Sequence, residues 1–304
     1  MAASSTYYPH QVNFSNIRLD ANLFRQAKGG SFSKLFYERH PKLSVQTPKL
    51  YAPSGIGCFD GDTPQQKKYS LLLSLNPDSA QQDDLLRQQI EQFQDFWRQL
   101  DEQIINECLR HINSDGAARD WANLYPKKYS KEVFEDGFFR PFLKQGKNKK
   151  TGELYPPSIS IKMNPIRDKE GNEVFRTTFW LDTNEPLVIT DENGDELPKS
   201  PDFIQRFIPP RSSVVAILDI EGIWIVDKKV SVSVKLNAVK VSMAEEQPVT
   251  TFLPPISAEQ PSYLQDQQEE VPAEHIEETV AASASSAAAT PSSGPEPKRS
   301  RTKK

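Results

Sequence analysis

Val230-Ser-Val-Ser-Val-Lys-Leu-Asn-Ala-Val-Lys-Val241 sets branched apolar residues against polar ones with a period of two. That period belongs to a strand with one buried face, and here Val230, Val232, Val234 and Leu236 form the face. Val214–Leu218 and Gly222–Val226, just upstream, are apolar runs of strand length. Further back, Ser158–Pro165 and Glu173–Leu181 both alternate. The segment between them, Asp168-Lys169-Glu170-Gly171-Asn172, carries the Gly of a tight hairpin turn, and Asp191-Glu192-Asn193-Gly194 marks a second turn. Lys67–Leu75 (KKYSLLLSL) reads as a buried strand. Short strands punctuated by turns every ten or so residues predict an antiparallel sandwich or barrel.

One element departs from this pattern. Leu86, Ile90, Phe93, Trp97, Leu100, Ile104, Cys108 and Ile112 recur every three or four residues, so Asp83–Asn113 is expected to be a helix with one apolar stripe. Asp78 or Ser79 can cap it and Gly116 closes the segment. At 1.5 Å per residue it is about 45 Å long, enough to pack on its own domain and also to offer a surface for self-association. The fold class is therefore α+β with a β-rich core. Residues 1–60 read as irregular, with apolar side chains scattered among basic ones.

Charge divides the chain. Residues 1–243 carry 32 Lys and Arg against 31 Asp and Glu, whereas residues 244–297 hold ten acids and no Lys or Arg. Pro254-Pro255, Gln-Asp-Gln-Gln-Glu-Glu (265–270) and the Ala/Ser run 281–289 cannot bury enough apolar surface to offset an ordering cost of roughly 1–2 kcal/mol per residue. We expect one folded domain over 1–243 and a disordered acidic tail over 244–304. The tail ends in Lys298, Arg299, Arg301, Lys303 and Lys304, a basic run suited to nuclear import or polyanion contact. No apolar window is long enough for a membrane span and the start lacks a basic and an apolar signal region, so an intracellular protein that is neither secreted nor membrane-bound is expected. Cys58 and Cys108 are too few for a disulfide framework.

Enzyme signatures are missing. His10, His40, His111 and His275 have no metal-ligand spacing, Gly55-Ile56-Gly57 lacks a third glycine, and Asp191–Glu196 lacks a calcium-loop frame. The reading is a non-enzyme without cofactors or metals. Binding chemistry is better represented. From 127 to 150 there are eight Lys and Arg against three acids, interleaved with aromatics. Cations neutralise phosphates while aromatic faces stack bases, the combination that holds a single strand. Phe138, Phe139 and Phe142 suit the core, leaving Lys147, Lys149, Lys150 and Tyr155 toward the ligand. Alternation over 158–181 puts Ile159, Ile161 and Met163 on one face with Phe175, Thr177 and Phe179; a hairpin would then gather Lys162, Arg176 and Trp180 on the other. Lys228 and Lys229 at a turn, and Ser231, Ser233 and Lys235 on the last strand, extend that groove. Lys34, Phe36, Tyr37, Arg39, Lys42, Lys49 and Tyr51 suggest an arm closing over the strand.

Tyr69-Ser-Leu-Leu-Leu-Ser-Leu75, the helix, the Lys/aromatic segment and the closing Gly222-Ile-Trp…Val-Lys-Val241 together resemble the single-stranded DNA-binding proteins of nucleocytoplasmic large DNA viruses, of the African swine fever virus and phycodnavirus type. The resemblance spans about 10–243. It implies an OB-like antiparallel barrel whose groove takes single-stranded DNA without sequence preference during replication or repair, with Trp224 and the Lys228–Lys240 ending as matching motif positions. It also implies replication proteins as partners and a location in the host nucleus or at a cytoplasmic viral replication site. The chain departs from replication proteins that end in acid, since its acidic segment is followed by a basic end. That segment is expected to compete with DNA for the groove. RNA stays open as a ligand, since nothing in the sequence reads a 2′-hydroxyl. Two other readings stay open, a virion scaffold assembling through the long helix and a nuclear regulator that meets proteins.

Overall fold

The structure, a computed structural model, describes residues 5–26, 29–61, 67–80, 83–114 and 119–242. The acidic segment 244–297 and the basic end, Lys298 to Lys304, lie outside the described residues. The N-terminal sixty residues hold β1 (Thr6–Tyr7), β2 (Ile17–Leu19), β3 (Phe24–Arg25), β4 (Ser31–Tyr37), β5 (Leu43–Gln46), β6 (Leu50–Ala52) and β7 (Ile56–Asp60). The stretch expected to be irregular, with the arm inside it, thus holds seven short strands joined by turns. Pro41, Pro48 and Pro53 cut it into short pieces, because proline cannot donate to a ladder. In β4 the pattern is also inverted: Ser31 and Ser33 point inward with Leu35 and Tyr37, while Phe32 and Phe36 are half-buried on the other side. Tyr37 and Lys42, expected in an arm closing over the strand, are respectively buried and ion-paired to Asp219.

Next come β8 (Lys67–Ser74), α1 (Asp84–Asn113), α2 (Arg119–Leu124), α3 (Lys131–Phe138), β9 (Phe139–Arg140), β10 (Ser158–Met163), β11 (Ile166–Arg167), β12 (Glu173–Val174) and β13 (Thr178–Trp180). α4 (Pro201–Phe207), β14 (Ser212–Val226) and β15 (Lys229–Ser242) complete the order. α1 has the expected stripe, from Ile90 to Ile112, buried in the chain's own core. Its cap is Asp83, whose carboxylate accepts from the Leu86 N–H at 2.9 Å, and not Asp78 or Ser79, which lie in or beside a separate turn of 3-10 helix at Pro77–Ala80. Phe93 and Trp97 are wholly buried, and Trp97 packs on Phe142 with ring centroids 4.5 Å apart. No helix among the described residues is long and apolar enough to cross a membrane.

β14 and β15 form the long central hairpin. Asp227 and Lys228 both take positive φ, 50° and 62°, the two-residue turn that matches strand twist. β14 also pairs with β4, β5 and β6, β6 with β8, and β8 with β7 and β10. This order, β15–β14–β6–β8–β10, bends round until β10 comes within 8 Å of β15, Cα to Cα, without ladder pairing. The closed barrel expected from sequence is therefore not formed: the sheet stays open at one seam.

The predicted hairpin of 158–163 with 175–180 does not form. β10 pairs along all six residues with β8, and β13 runs parallel to β15. Pro165 offers no N–H to carry the ladder past Asn164, and the chain turns instead through the small β11–β12 hairpin at Asp168–Gly171. The alternation itself holds in both strands: Ile159, Ile161, Met163, Phe175, Thr177 and Phe179 are buried, and Lys162, Arg176 and Thr178 are exposed.

Candidate nucleic-acid interface

Directly paired residues of neighbouring strands present their side chains on the same face. The registers therefore define a row across the outside of the sheet: Ser242 opposite Ser213, Ser213 opposite Tyr51, Tyr51 opposite Ser74, Ser74 opposite Ser158, and Ser158 opposite Lys144. Leu50, Ala52, Leu73, Ile159, Val214 and Val241, one step along each strand, are buried, which turns the row outward. Five interstrand spacings make it about 24 Å long. It offers four serine hydroxyls, one tyrosine ring and an ammonium group. Hydroxyls and cations are donors to phosphate oxygens, and the ring is a base platform.

Two rungs farther along β8, Gly57 faces Ser70, which faces Lys162, and beyond them Phe59 faces Lys68. Phe59 is 59% exposed, and its ring folds back over Gly57: a Cβ there would come within 2.9 Å of it. Glycine at 57 thus leaves room for the exposed Phe59 ring against the sheet. At the other end, Lys144–Ser158 pairing opens an arm that folds on itself through Lys147–Leu154. Its turn is built by Asn148, whose side chain accepts from the Lys150 N–H, and by Gly152 at φ 76°. Lys147, Lys149 and Lys150 are exposed on this arm, and Tyr155, 53% exposed, packs its ring edge over Gly146.

Cation by cation, the predicted residues separate into two groups. Lys147, Lys149, Lys150, Lys162 and Arg176 are exposed, as is Lys144, and none is ion-paired with a described carboxylate. Lys235 is paired instead to Glu221 at 2.7 Å, and Lys229 donates to the Gly137 carbonyl and lies over the Phe138 ring. Lys228 is exposed at the hairpin turn, its carbonyl accepting from the Tyr125 hydroxyl. Arg176 and Trp180 sit with β13 on the β15 side of the open seam, whereas Lys162 is on the β10 side. Trp180 is half-buried and in register with Lys240, which faces Val215.

Tyr51, Phe59, Lys144 and Lys240 are the additions. Tyr51 was visible as part of a basic–aromatic mixture. Lys144 belongs to the Lys/aromatic segment, and Lys240, ion-paired to Asp182 at 3.9 Å, to the closing motif; Phe59 carries no motif, and only the register brings the three to this face.

The buried ionisable groups are built into the scaffold. Asp219 accepts from Lys42 and Ser44, both at 2.6 Å, and Glu107 accepts from the Leu19 N–H at 3.1 Å and from Arg110 at 2.7 Å. Burial pushes the Asp101 carboxyl up to about 7, against a hydrogen bond from the Phe142 backbone that works to lower it; one of its oxygens has no partner. Burial also raises Tyr69 to about 12. Neither faces the outer row. No group of three or more His, Cys, Asp or Glu among the described residues is placed to hold a metal.

No family model matches the chain, and no curated protein does. Solved structures do. A single-stranded DNA-binding protein from bacteriophage Enc34, in complex with single-stranded DNA, aligns at 14% identity over 74% of this chain and 96% of its own, with a TM-score of 0.35. The bacteriophage T7 single-stranded DNA-binding protein gp2.5 aligns at 12% identity over 67% of this chain and 97% of its own, with a TM-score of 0.36.

Proposed function

We propose that this chain is a sequence-independent single-stranded DNA-binding protein, and that the outer face of β6, β8 and β10 is where the strand lies. The observation that carries the reading is the in-register row from Ser242 to Lys144, flanked by exposed rings and by cations that form no ion pair with a described carboxylate. An exposed cation that a carboxylate already neutralises gains little from a phosphate. Lys144, Lys147, Lys149, Lys150 and Lys162 have no such partner among the described residues. Phosphates would be held by these cations and by the serine hydroxyls, and bases stacked on Phe59, Tyr51 and Tyr155. Nothing in such a face reads base edges, so binding is indifferent to sequence. No bond is made or broken, and the protein acts by occupying exposed strands. A role in DNA replication or repair follows as part of the proposal, as does nuclear import through Lys298, Arg299, Arg301, Lys303 and Lys304.

The test is fluorescence anisotropy of labelled oligo(dT) and of a duplex of equal length across a salt series. The expected result is preference for the single strand, with log K falling linearly in log salt. Equal affinity for both would reduce the rings to packing, and absence of binding at low salt would end the nucleic-acid reading.

A further inference from the structure

A second row crosses the other end of the β14–β15 hairpin. Phe24 faces Phe32, Phe32 faces Trp224, Trp224 faces Ser231, and Ser231 faces Arg140, so five strands, β3, β4, β14, β15 and β9, contribute one residue each. The row is about 19 Å long at the usual strand spacing. It also faces outward, because Ile223, Ile225, Val230 and Val232 on the alternate positions are buried. Phe24 is 41% exposed, and Phe32 and Trp224 are half-buried against each other, ring centroids 4.9 Å apart and tilted by 51°. The Lys34 ammonium sits 4.7 Å above the Phe24 ring. Gly222 makes this possible: a Cβ there would lie 2.1 Å from the Ser33 carbonyl and 2.8 Å from the Phe32 ring.

Resting on the function proposed above, we infer that this row is a second stacking surface for the same single strand, with Trp224 as its platform and Lys34 and Arg140 as its phosphate contacts. Three features favour a nucleic acid over a protein partner. The row contains no aliphatic side chain, its cations at both ends form no ion pair with a described carboxylate, and it continues on the two strands that carry Ser213 and Ser242 of the first row. Along β14 the two rows are eleven residues apart, about 36 Å of extended chain. A strand occupying both must therefore be long: at the 3.4 Å rise of a stacked strand, about ten nucleotides link them.

The full-length chain reports this directly through its tryptophans. Trp97 and Trp121 are completely buried, so in a Trp180→Phe variant Trp224 is the tryptophan that solvent and ligand reach among the described residues. Oligo(dT) of about 30 nucleotides, three times the linking length, is added while binding is followed by anisotropy of the labelled DNA. The expected result is quenching of the Trp180→Phe emission in step with the anisotropy. The quench should be lost when Lys34→Ala and Arg140→Ala are added, which also weakens binding about tenfold. Binding without a quench overturns the second surface and leaves the first in place. No anisotropy change shows instead that the underlying DNA-binding reading has failed. An emission change that follows protein concentration without DNA would assign the row to a second copy of the chain, and equally overturns the inference.

Discussion

Replacing Lys144, Lys147 and Lys162 together by Ala removes half of a set of six exposed cations, with Lys149, Lys150 and, across the seam, Arg176, that form no ion pair with a described carboxylate. For a single strand, log K changes with log salt by about −0.7 for each phosphate neutralised. Six contacts give a slope of about −4, so a fourfold rise in salt weakens binding about 300-fold. Three contacts give about −2, and the same rise costs about 20-fold. Because all three lysines are exposed and form no ion pair with a described carboxylate, thermal stability should stay within about 0.5 kcal/mol of the wild type. The assay is anisotropy of labelled oligo(dT) between about 50 and 200 mM salt, the range over which such slopes are resolved, with a melting curve for each variant. A variant that folds normally and keeps the full wild-type slope would refute the assignment of these lysines to phosphates.

Phe59→Ala should weaken oligo(dT) binding by about 1–3 kcal/mol, the value of one stacked base, without altering the melting temperature, since the ring is mostly in solvent; isothermal titration with circular dichroism checks both. Asp101 has a folded pKa of about 7, raised by burial from an ordinary 3.8. Its neutral form is the one the fold favours, so the stability it contributes is complete below about pH 4 and is lost as pH rises to about 7. Denaturant titrations should show Asp101→Asn removing that decline and gaining stability, on the order of a few kcal/mol, at neutral pH; an unchanged pH profile would place the carboxyl in water. Deleting residues 244–304 removes ten acids and five bases and should tighten binding to oligo(dT) at low salt; weaker binding would mean that the basic end contributes more than the acidic segment competes.

The helix was the most legible element. Its stripe is local, so Ile90, Phe93, Trp97, Leu100, Ile104, Cys108 and Ile112 could be read as one buried face from spacing alone. Its cap could not, because the 3-10 turn at Pro77–Ala80 is also rich in capping residues and nothing local ranks Asp83 above Asp78 or Ser79. Strand faces were equally legible, since a period of two sorts Lys162 from Ile161 and Arg176 from Phe175 whatever the partners are.

Partners were another matter. A ladder edge accepts any strand of suitable length, so the choice of β8 for β10 and of β15 for β13 depends on Pro165 and on segments about ninety residues upstream and sixty downstream. With the predicted hairpin absent, Arg176 and Trp180 lie across an open seam from Lys162. The same long-range pairing decides which cations are occupied: Lys235 meets Glu221 only because β14 and β15 are a hairpin, and Lys229 meets Gly137 only because α3 ends beside its turn. Composition along the sequence thus determined the β-rich class, the helix and the alternation of faces, all of which depend on neighbours a few residues away. The tertiary structure alone decided the two rows. Tyr51 and Phe59, like Phe32 and Trp224, become parts of a surface only through register between strands far apart in the chain, and register depends on the cooperative burial of every strand at once.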